Sequence, residues 1–175
     1  MTDTSIANAM RRPRAARKTV AAADDATPPP CADTLPDTRF LETLVGYNAR
    51  RAALSVIALF LRRMAPFDLR PVDFSVLSVV AHNPGVTSRQ ICAALDILPP
   101  NLVGMVKALH KRGLIERQPH PTDRRAQGLH LTQAGQHLHT QAQQTATDLE
   151  QEATHALTPA ELQTLSGLLR KVYRR

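Results

Sequence analysis

The side chains of this sequence that are best suited to binding chemistry are basic, and they lie in two short segments. Arg124 and Arg125 fall in a polar run, residues 119–126, that also contains two prolines, and Lys107 and Lys111 recur at helical spacing. Residues 89–125 together hold seven basic and three acidic residues, a local charge of +4. Because lysine and arginine attract phosphate and carboxylate groups, these segments favour an anionic partner, which could be nucleic acid, anionic lipid or an acidic protein.

Catalytic and metal-binding patterns are missing from the sequence. Its seven glycines form no P-loop, no GxGxxG and no GxSxG motif, and no His-Glu-x-x-His pair occurs. The seven histidines are scattered, and His137 and His139, two residues apart on a helix, must point to different sides. We therefore expect neither an enzyme, nor a bound metal, nor a cofactor.

Cysteine usage and hydropathy indicate the compartment. Cys31 and Cys92 are far apart and lack the neighbours that a disulfide framework or a cysteine-rich zinc site requires, so we interpret Cys92 as a small core residue. The N-terminus lacks the apolar segment of a secretory signal, and the longest apolar run, residues 52–61, is too short to span a bilayer. The sequence predicts a soluble cytoplasmic protein that does not bind membranes.

Composition divides the chain at about residue 37. Residues 1–37 hold five basic and five acidic residues, so the remainder carries the whole net charge of +7. This first segment has almost no large apolar side chain and cannot bury enough surface to offset the entropy of ordering. We predict a disordered tail over residues 1–37, whose basic octet at 11–18 is either solvated or an accessory phosphate-binding segment.

A long helix is predicted after the tail, capped by Asp37 and ending at about Met64. Its apolar side chains recur at three- and four-residue spacing, which is typical of a helix with one buried face. The members of this stripe are Leu44, Tyr47, Leu54, Ala58 and Leu61. Arg51 falls inside the same stripe, and a buried guanidinium requires either an acidic partner or an anionic ligand.

Three shorter helices follow in the middle of the chain. One begins at Pro71, with Phe74, Leu77 and Ala81 facing inward, and stops at 83–85; the next is a short helix carrying Ile91, Ala94 and Leu95, which opens with a capping box at 87–90. The third begins with Pro99, buries one face and ends at Gly113. Its predicted buried residues are Leu98, Leu102, Met105, Val106 and Leu109. The opposite face, at 100° per residue, presents Pro100, Val103, Gly104, Lys107 and Lys111.

The apolar period then changes from helical to alternating. Residues 114–118 and 127–132 predict two strands of a hairpin whose tip holds the two arginines. Thr132 can cap a helix over 133–155, and Thr158 begins a last helix with its leucines inward. The inward residues of that last helix are Leu162, Leu165, Leu169 and Val172. A short helix, a turn, a second helix with an uncharged first turn and an arginine-tipped hairpin together predict a mainly α winged helix-turn-helix protein.

The spacing of several motifs resembles the MarR family of bacterial transcriptional regulators. The resemblance rests on Lys-Arg-Gly-Leu-Ile-Glu-Arg at 111–117, Pro-Thr-Asp-Arg-Arg-Ala at 121–126, Leu-Thr-Gln-Ala-Gly at 131–135 and the closing helix from residue 157. It implies a homodimeric repressor that binds a palindromic operator and is released by a small ligand, often an aromatic acid. It also implies that residues 38–66 and 133–175 form a helical dimerisation region, with a winged helix-turn-helix DNA-binding domain over 67–132.

The family's DNA-reading positions correspond to Pro100, Asn101, Val103 and Gly104 of this sequence, which departs from the family pattern of hydroxyl residues and an arginine there. Asn101 is suited to adenine, and Val103 to a thymine methyl group. Lys107 would contact phosphate. In the hairpin, Asp123 and Arg125 match a family pair in which the carboxylate holds an arginine aimed into the minor groove, with Arg124 on phosphate or sharing that role.

The resemblance also suggests a site for an effector. Tyr47 and Arg51 place an aromatic ring beside a cation in the region where relatives bind aromatic acids, so an aromatic carboxylate is one candidate ligand and a structural ion pair for Arg51 is the other. A different class of function stays open from the sequence alone. The chain could be a helical protein-interaction module whose basic surface docks an acidic partner without reading DNA sequence.

Overall fold

The computed structural model describes residues 36–119 and 127–174. Seven helices and three strands follow in the order α1 (Arg39–Glu42), α2 (Val45–Met64), a 3-10 turn (Ala65–Phe67), α3 (Pro71–His82), β1 (Val86–Thr87), α4 (Ser88–Leu95), α5 (Pro99–Lys111), β2 (Ile115–Pro119), β3 (Gln127–Leu131), α6 (Gln133–Ala153) and α7 (Pro159–Tyr173). The mainly α winged helix-turn-helix architecture is confirmed. The predicted tail, apart from its last two residues, and the hairpin tip that holds Asp123, Arg124 and Arg125 lie outside the described residues.

The hairpin pairs with a third, very short strand that the sequence did not indicate. The sheet is antiparallel in the order β1-β3-β2, with Val86 opposite Leu129 and Ile115 opposite Leu131. Two residues cannot form a strand alone, so β1 exists only because β3 supplies its partner. This pairing ties the hairpin to the start of α4.

The core of the chain is shared by α2, α3, α4, α5, the sheet and α6. Its fully buried larger side chains are Met64, Leu77, Ile91, Leu102, Leu109, Ile115, Leu129 and Leu149. Several inward assignments are confirmed, but Leu98 is 69% exposed and Ala94 is exposed. In α3 the buried apolar side chains are Val76, Leu77 and Val80, whereas Phe74 and Ala81 are only half-buried.

The first predicted helix differs from the structure in two ways. It is broken at Thr43 and Leu44 into α1 and α2, and its first cap position is Thr38 rather than Asp37. The side of α2 that packs into the core carries Leu59, Phe60 and Met64, so the predicted stripe is not the side that packs within one chain. Leu44, Leu54, Ala58 and Leu61 are exposed in the single chain, and Tyr47 is half-buried.

The last helix was also expected to bury its leucines, and within the described part of the chain it does not. Leu165, Leu169 and Val172 are exposed, and Leu162 is half-buried. The local signals that begin the helix are nevertheless correct, because Thr158 and Glu161 form the predicted reciprocal capping box. Helix formation is thus encoded locally, whereas no residue of 36–119 or 127–174 covers this apolar face.

Close packing between α6 and the sheet explains the Leu-Thr-Gln-Ala-Gly segment. The Thr132 hydroxyl accepts a hydrogen bond from the Gly135 amide at 3.0 Å, and the Thr132 amide donates to the Leu114 carbonyl at 3.1 Å. A β-carbon added at Gly135 would lie 1.9 Å from that same carbonyl oxygen. Glycine at position 135 therefore lets α6 begin directly against β2.

Among residues 36–119 and 127–174, no single helix is long and apolar enough to cross a membrane. Helices α4 and α5 together have the length and apolar composition of a membrane span, but they are bent by 116° relative to each other.

Candidate DNA-binding surface and effector cavity

The helix-turn-helix is built by α4, a tight turn and α5. Gln90 and Thr87 close the predicted capping box, since the Thr87 amide donates to the Gln90 side chain at 2.8 Å and the Gln90 amide donates to the Thr87 hydroxyl at 3.3 Å. Ile91 anchors α4 in the core. Asp96 adopts a left-handed conformation with φ of 51°, and this residue turns the chain from α4 into α5.

Helix α5 divides into a buried and an exposed face as the periodicity predicts. Leu102, Val106 and Leu109 are buried, and the opposite side is solvent-exposed. The predicted DNA-reading residues all lie on that exposed side or at its edge: Pro100, Asn101, Val103, Gly104 and Lys107. The structure therefore brings these five residues together on one accessible surface over the first three turns of the helix.

The other end of α5 is held by Arg112, a residue that the sequence analysis did not single out. Its guanidinium donates to the backbone carbonyls of Phe67 and Asp68, both at 2.7 Å. The Asp68 carboxylate lies 3.8 Å away, and Asp68 has a φ of 49°. The sequence gave no sign that Arg112 binds this segment, because Arg112 and Asp68 are more than 40 residues apart.

A separate cavity lies between α2, α3 and α6. Its volume is about 410 Å³, which is within the usual range for small-molecule sites. The lining residues are Val56, Ile57 and Phe60 of α2, Pro71, Phe74 and Ser75 of α3, and Gln143, Ala146, Thr147, Leu149 and Glu150 of α6. Among these described residues Glu150 is the only charged one. The cavity is therefore apolar with a few hydroxyl, amide and carboxylate groups.

Tyr47 and Arg51, the two residues predicted for an effector, do not line this cavity. Both are on α2, but they precede its first lining residue, Val56, by more than one turn. Arg51 is exposed in the single chain, as are most residues of the stripe to which it belongs, so its expected acidic partner or anionic ligand stays a prediction.

A buried histidine lies directly behind the cavity, between α3 and α6. The His139 ring is stacked on Phe74 with 6.0 Å between ring centroids, contacts the edge of His82 at 5.7 Å and lies 3.1 Å from the Ser78 hydroxyl. Burial lowers the pKa of His139, and the nearby His82 lowers it further. His137 is exposed, so the prediction that the two histidines point to different sides is confirmed.

An ion pair joins α2 and α6 on the outside. Arg63 of α2 binds Glu152 of α6, and this carboxylate raises the pKa of the arginine, first through the hydrogen bond and then through its charge. Both side chains are about half-exposed, so the pair contributes little stability.

Comparison with known proteins matches this chain to transcriptional regulators. Residues 67–126 match the model of the MarR family. A regulatory protein assigned to the hcr operon of Thauera aromatica is 32% identical over 131 residues, which span 74% of this chain and 79% of that protein.

Solved structures extend the comparison. The transcriptional repressor CouR bound to a 23-mer DNA duplex is 37% identical, with a TM-score of 0.75, over 81% of this chain and 100% of that one. CouR bound to p-coumaroyl-CoA is 36% identical, with a TM-score of 0.70, over 77% of this chain and 95% of that one. A cysteine-to-serine mutant of MarR from E. coli in complex with operator DNA is 29% identical, with a TM-score of 0.68, over 77% and 97% of the two chains.

A winged helix with an accessible second helix, packed against long terminal helices, defines a class of DNA-binding transcriptional regulators. This chain belongs to the MarR family, in which homodimers are typical and repression responds to ligands.

Proposed function

We propose that this protein is a homodimeric repressor that binds a pseudo-palindromic operator and leaves it when an aromatic acyl compound occupies the cavity between α2, α3 and α6. The observation that carries the DNA-binding part is the exposed, uncharged start of α5 within a winged-helix frame. A two-fold dimer presents its two recognition helices to successive turns of the major groove, so the half-sites should be centred about 10 bp apart.

The proposed dimer uses residues 38–66 and 133–175, while residues 67–132 bind DNA. Its support is the apolar surface that α1, α2 and α7 leave exposed in one chain. This surface includes Phe40, Val45, Leu54, Leu61, Leu165, Leu168, Val172 and Tyr173. An apolar surface of this extent is typical of a protein–protein interface, and a symmetric second copy would cover it with the same residues.

The residues that line the cavity are better suited to bind the aromatic ring of the effector than its anionic group. Phe60, Phe74 and Val56 provide apolar walls, whereas Glu150 would repel a carboxylate placed beside it. Ser75, Gln143 and Thr147 can hydrogen-bond a phenol hydroxyl or a carbonyl oxygen. CouR binds p-coumaroyl-CoA, whose phenolic ring fits these requirements and whose charge is far from the ring.

In this proposal Arg51 and Tyr47 act outside the cavity. Arg51 is about one and a half turns before Val56 and could contact the anionic part of a ligand. Tyr47 is one turn before Arg51, nearer the start of the helix. The alternative for Arg51 is an acidic partner in the second copy.

DNA binding is tested with duplexes selected from a random library by the full-length protein. We expect Arg125→Ala to weaken operator binding by about 1–3 kcal/mol and Asn101→Ala to relax base preference, as measured by fluorescence anisotropy on selected and scrambled duplexes. Replacement of Asp123 or Arg124 tests the rest of the hairpin tip.

Lys107→Ala provides a contrasting variant. If Lys107 binds a phosphate group, its replacement lowers affinity for all sequences equally. It also reduces the slope of the logarithm of the binding constant against the logarithm of the salt concentration by about one unit. If the wild-type protein binds selected and scrambled duplexes equally well, the operator proposal is wrong and a protein-interaction module with a basic surface becomes the better description.

Effector binding is tested by titrating the protein–operator complex with p-coumaroyl-CoA and, separately, with p-coumarate. We expect the thioester to release DNA at lower concentration, and Phe74→Ala to blunt the release. Arg51→Ala should blunt it as well while DNA binding stays intact. Equal sensitivity of the Arg51→Ala variant and the wild type would remove Arg51 from the site.

A further inference from the structure

The first two turns of α5 lack the side chains that usually read guanine. Arginine and lysine recognise guanine through two hydrogen bonds in the major groove. Neither residue occurs between Pro99 and Val106, and the first basic residue, Lys107, is in the third turn. Because a helix-turn-helix contacts base edges mainly through the start of its recognition helix, α5 is poorly equipped to select G·C pairs.

What this surface offers instead is apolar. Val103 is 61% exposed, and its side chain points away from the buried face formed by Leu102 and Val106. The thymine 5-methyl group is the one apolar group that base pairs present in the major groove. A valine at the edge of the exposed face can therefore contact thymine, and the Asn101 amide can pair with an adenine.

Gly104, next to Val103, packs against none of the residues that the structure describes. A β-carbon added there would meet nothing within 4 Å. Glycine in a helix interior lowers stability relative to alanine, so the fold alone does not account for it. A bare backbone at this point lets the helix approach the base pairs more closely than any side chain would allow, and it brings Val103 within reach of the groove floor.

We propose that α5 recognises its half-site mainly through thymine 5-methyl groups, with Val103 as the contacting side chain and Gly104 as the residue that permits the close approach. This inference rests on the proposed operator binding and specifies the bases that the recognition helix selects. The half-site should accordingly contain A·T pairs at the positions opposite the start of α5.

The test removes the methyl groups from the DNA rather than from the protein. Each thymine of the selected operator is replaced in turn by uracil, and binding of the full-length dimer is measured by fluorescence anisotropy. We expect one or two positions per half-site at which the loss of the methyl group weakens binding about fourfold, the factor that corresponds to burial of one such group. Val103→Ala should bind the thymine and uracil operators with nearly equal affinity.

Gly104→Ala supplies an independent measurement. We expect this variant to melt at a higher temperature than the wild type and to bind the operator at least about tenfold more weakly, a loss within the range for a disturbed base contact. Unchanged operator affinity in Gly104→Ala would show that the helix does not approach the groove at this residue.

The outcomes separate this inference from the proposed function. If uracil is tolerated at every position while selected duplexes are still preferred over scrambled ones, thymine readout is wrong and operator binding stands. If selected duplexes are not preferred at all, the operator proposal itself is wrong. A uracil penalty that persists unchanged in Val103→Ala would assign the contact to another residue and overturn the role of Val103.

Discussion

The winged helix and the last helix differ in whether their apolar side chains are buried within one chain. In the winged helix, Leu77, Ile91, Leu102 and Leu129 are fully buried by other parts of the same chain. In α7, Leu165, Leu168 and Leu169 stay exposed, although the helix is capped as firmly as any other. Within the described residues the chain covers the core of its winged helix but not the apolar face of α7, and this difference supports the proposal that a second copy covers the terminal helices.

The largest effect should come from charges placed on α7. We expect Leu165→Glu together with Leu169→Glu to abolish the dimer, because four leucines per symmetric dimer lose burial worth about 1.5–3 kcal/mol each. Sedimentation velocity measures the assembly, and far-UV circular dichroism reports whether the monomer keeps its helices. The pair Gln163→Glu and Ser166→Glu adds the same charge at polar positions and should leave the dimer intact. A dimer that survives the leucine substitutions would contradict the proposed interface.

A smaller but still severe effect is expected where the start of α6 packs against the winged helix. Gly135→Ala forces a β-carbon against the Leu114 carbonyl, and overpacking of this kind costs about 1–3 kcal/mol. Urea unfolding measures the loss. Gly46→Ala is the matched control, because a β-carbon there meets nothing within 4 Å and alanine is the better helix former. Equal stability of Gly135→Ala and the wild type would show that α6 can shift away from β2 without loss.

Arg112 tests how firmly the recognition helix is fixed. Arg112→Lys keeps the charge but cannot donate to the carbonyls of Phe67 and Asp68 in the same forked geometry. We expect a loss of about 1.5 kcal/mol in unfolding free energy, the lower value for hydrogen bonds from charged groups. Arg117→Lys, at an exposed position in β2, should cost almost nothing in the same chemical-denaturation assay. If both variants lose equally, Arg112 does not act through these two bonds.

The smallest effect should appear as a pH dependence at the junction of the two regions. Burial lowers the pKa of His139 below its ordinary value of 6.5, so the folded chain binds this proton more weakly than the unfolded chain. Stability is therefore complete above 6.5 and falls as the pH drops below it. Urea unfolding about one unit above and about one unit below 6.5 should show a loss in the wild type and in His137→Gln, and a smaller loss in His139→Gln. An identical pH dependence in His139→Gln would assign the titration elsewhere.

The parts of the fold that the sequence predicts well are those with local signals. The capping boxes at Thr87 and Thr158, the hairpin, and the two faces of α5 follow from neighbouring residues. The strand β1 and the hydrogen bonds of Arg112 were not predicted, because their partners are distant in sequence. Periodicity detects an apolar face but does not say what covers it.

Helix α2 shows this last limit most clearly. It carries apolar residues on two sides, and the sequence alone does not distinguish the side that packs on α6 from the side that stays exposed in the single chain. The exposed face of α5 was predicted correctly because it depends on one helix, while its contact with DNA stays a prediction. The cavity was not predicted, because its walls come from three separate helices.

Helix α6 runs without a break from Gly135, seated on β2, past the cavity to Glu152, which pairs with Arg63. Its 21 residues form a rod about 30 Å long. Because the helix is this long, a tilt of about 5° at one end displaces the other end by roughly 2–3 Å. That displacement approaches the rise of about 3.4 Å between neighbouring base pairs. If the proposed effector tilts α6 away from α2 by this amount, the DNA-binding unit shifts by nearly one base-pair step along the double helix.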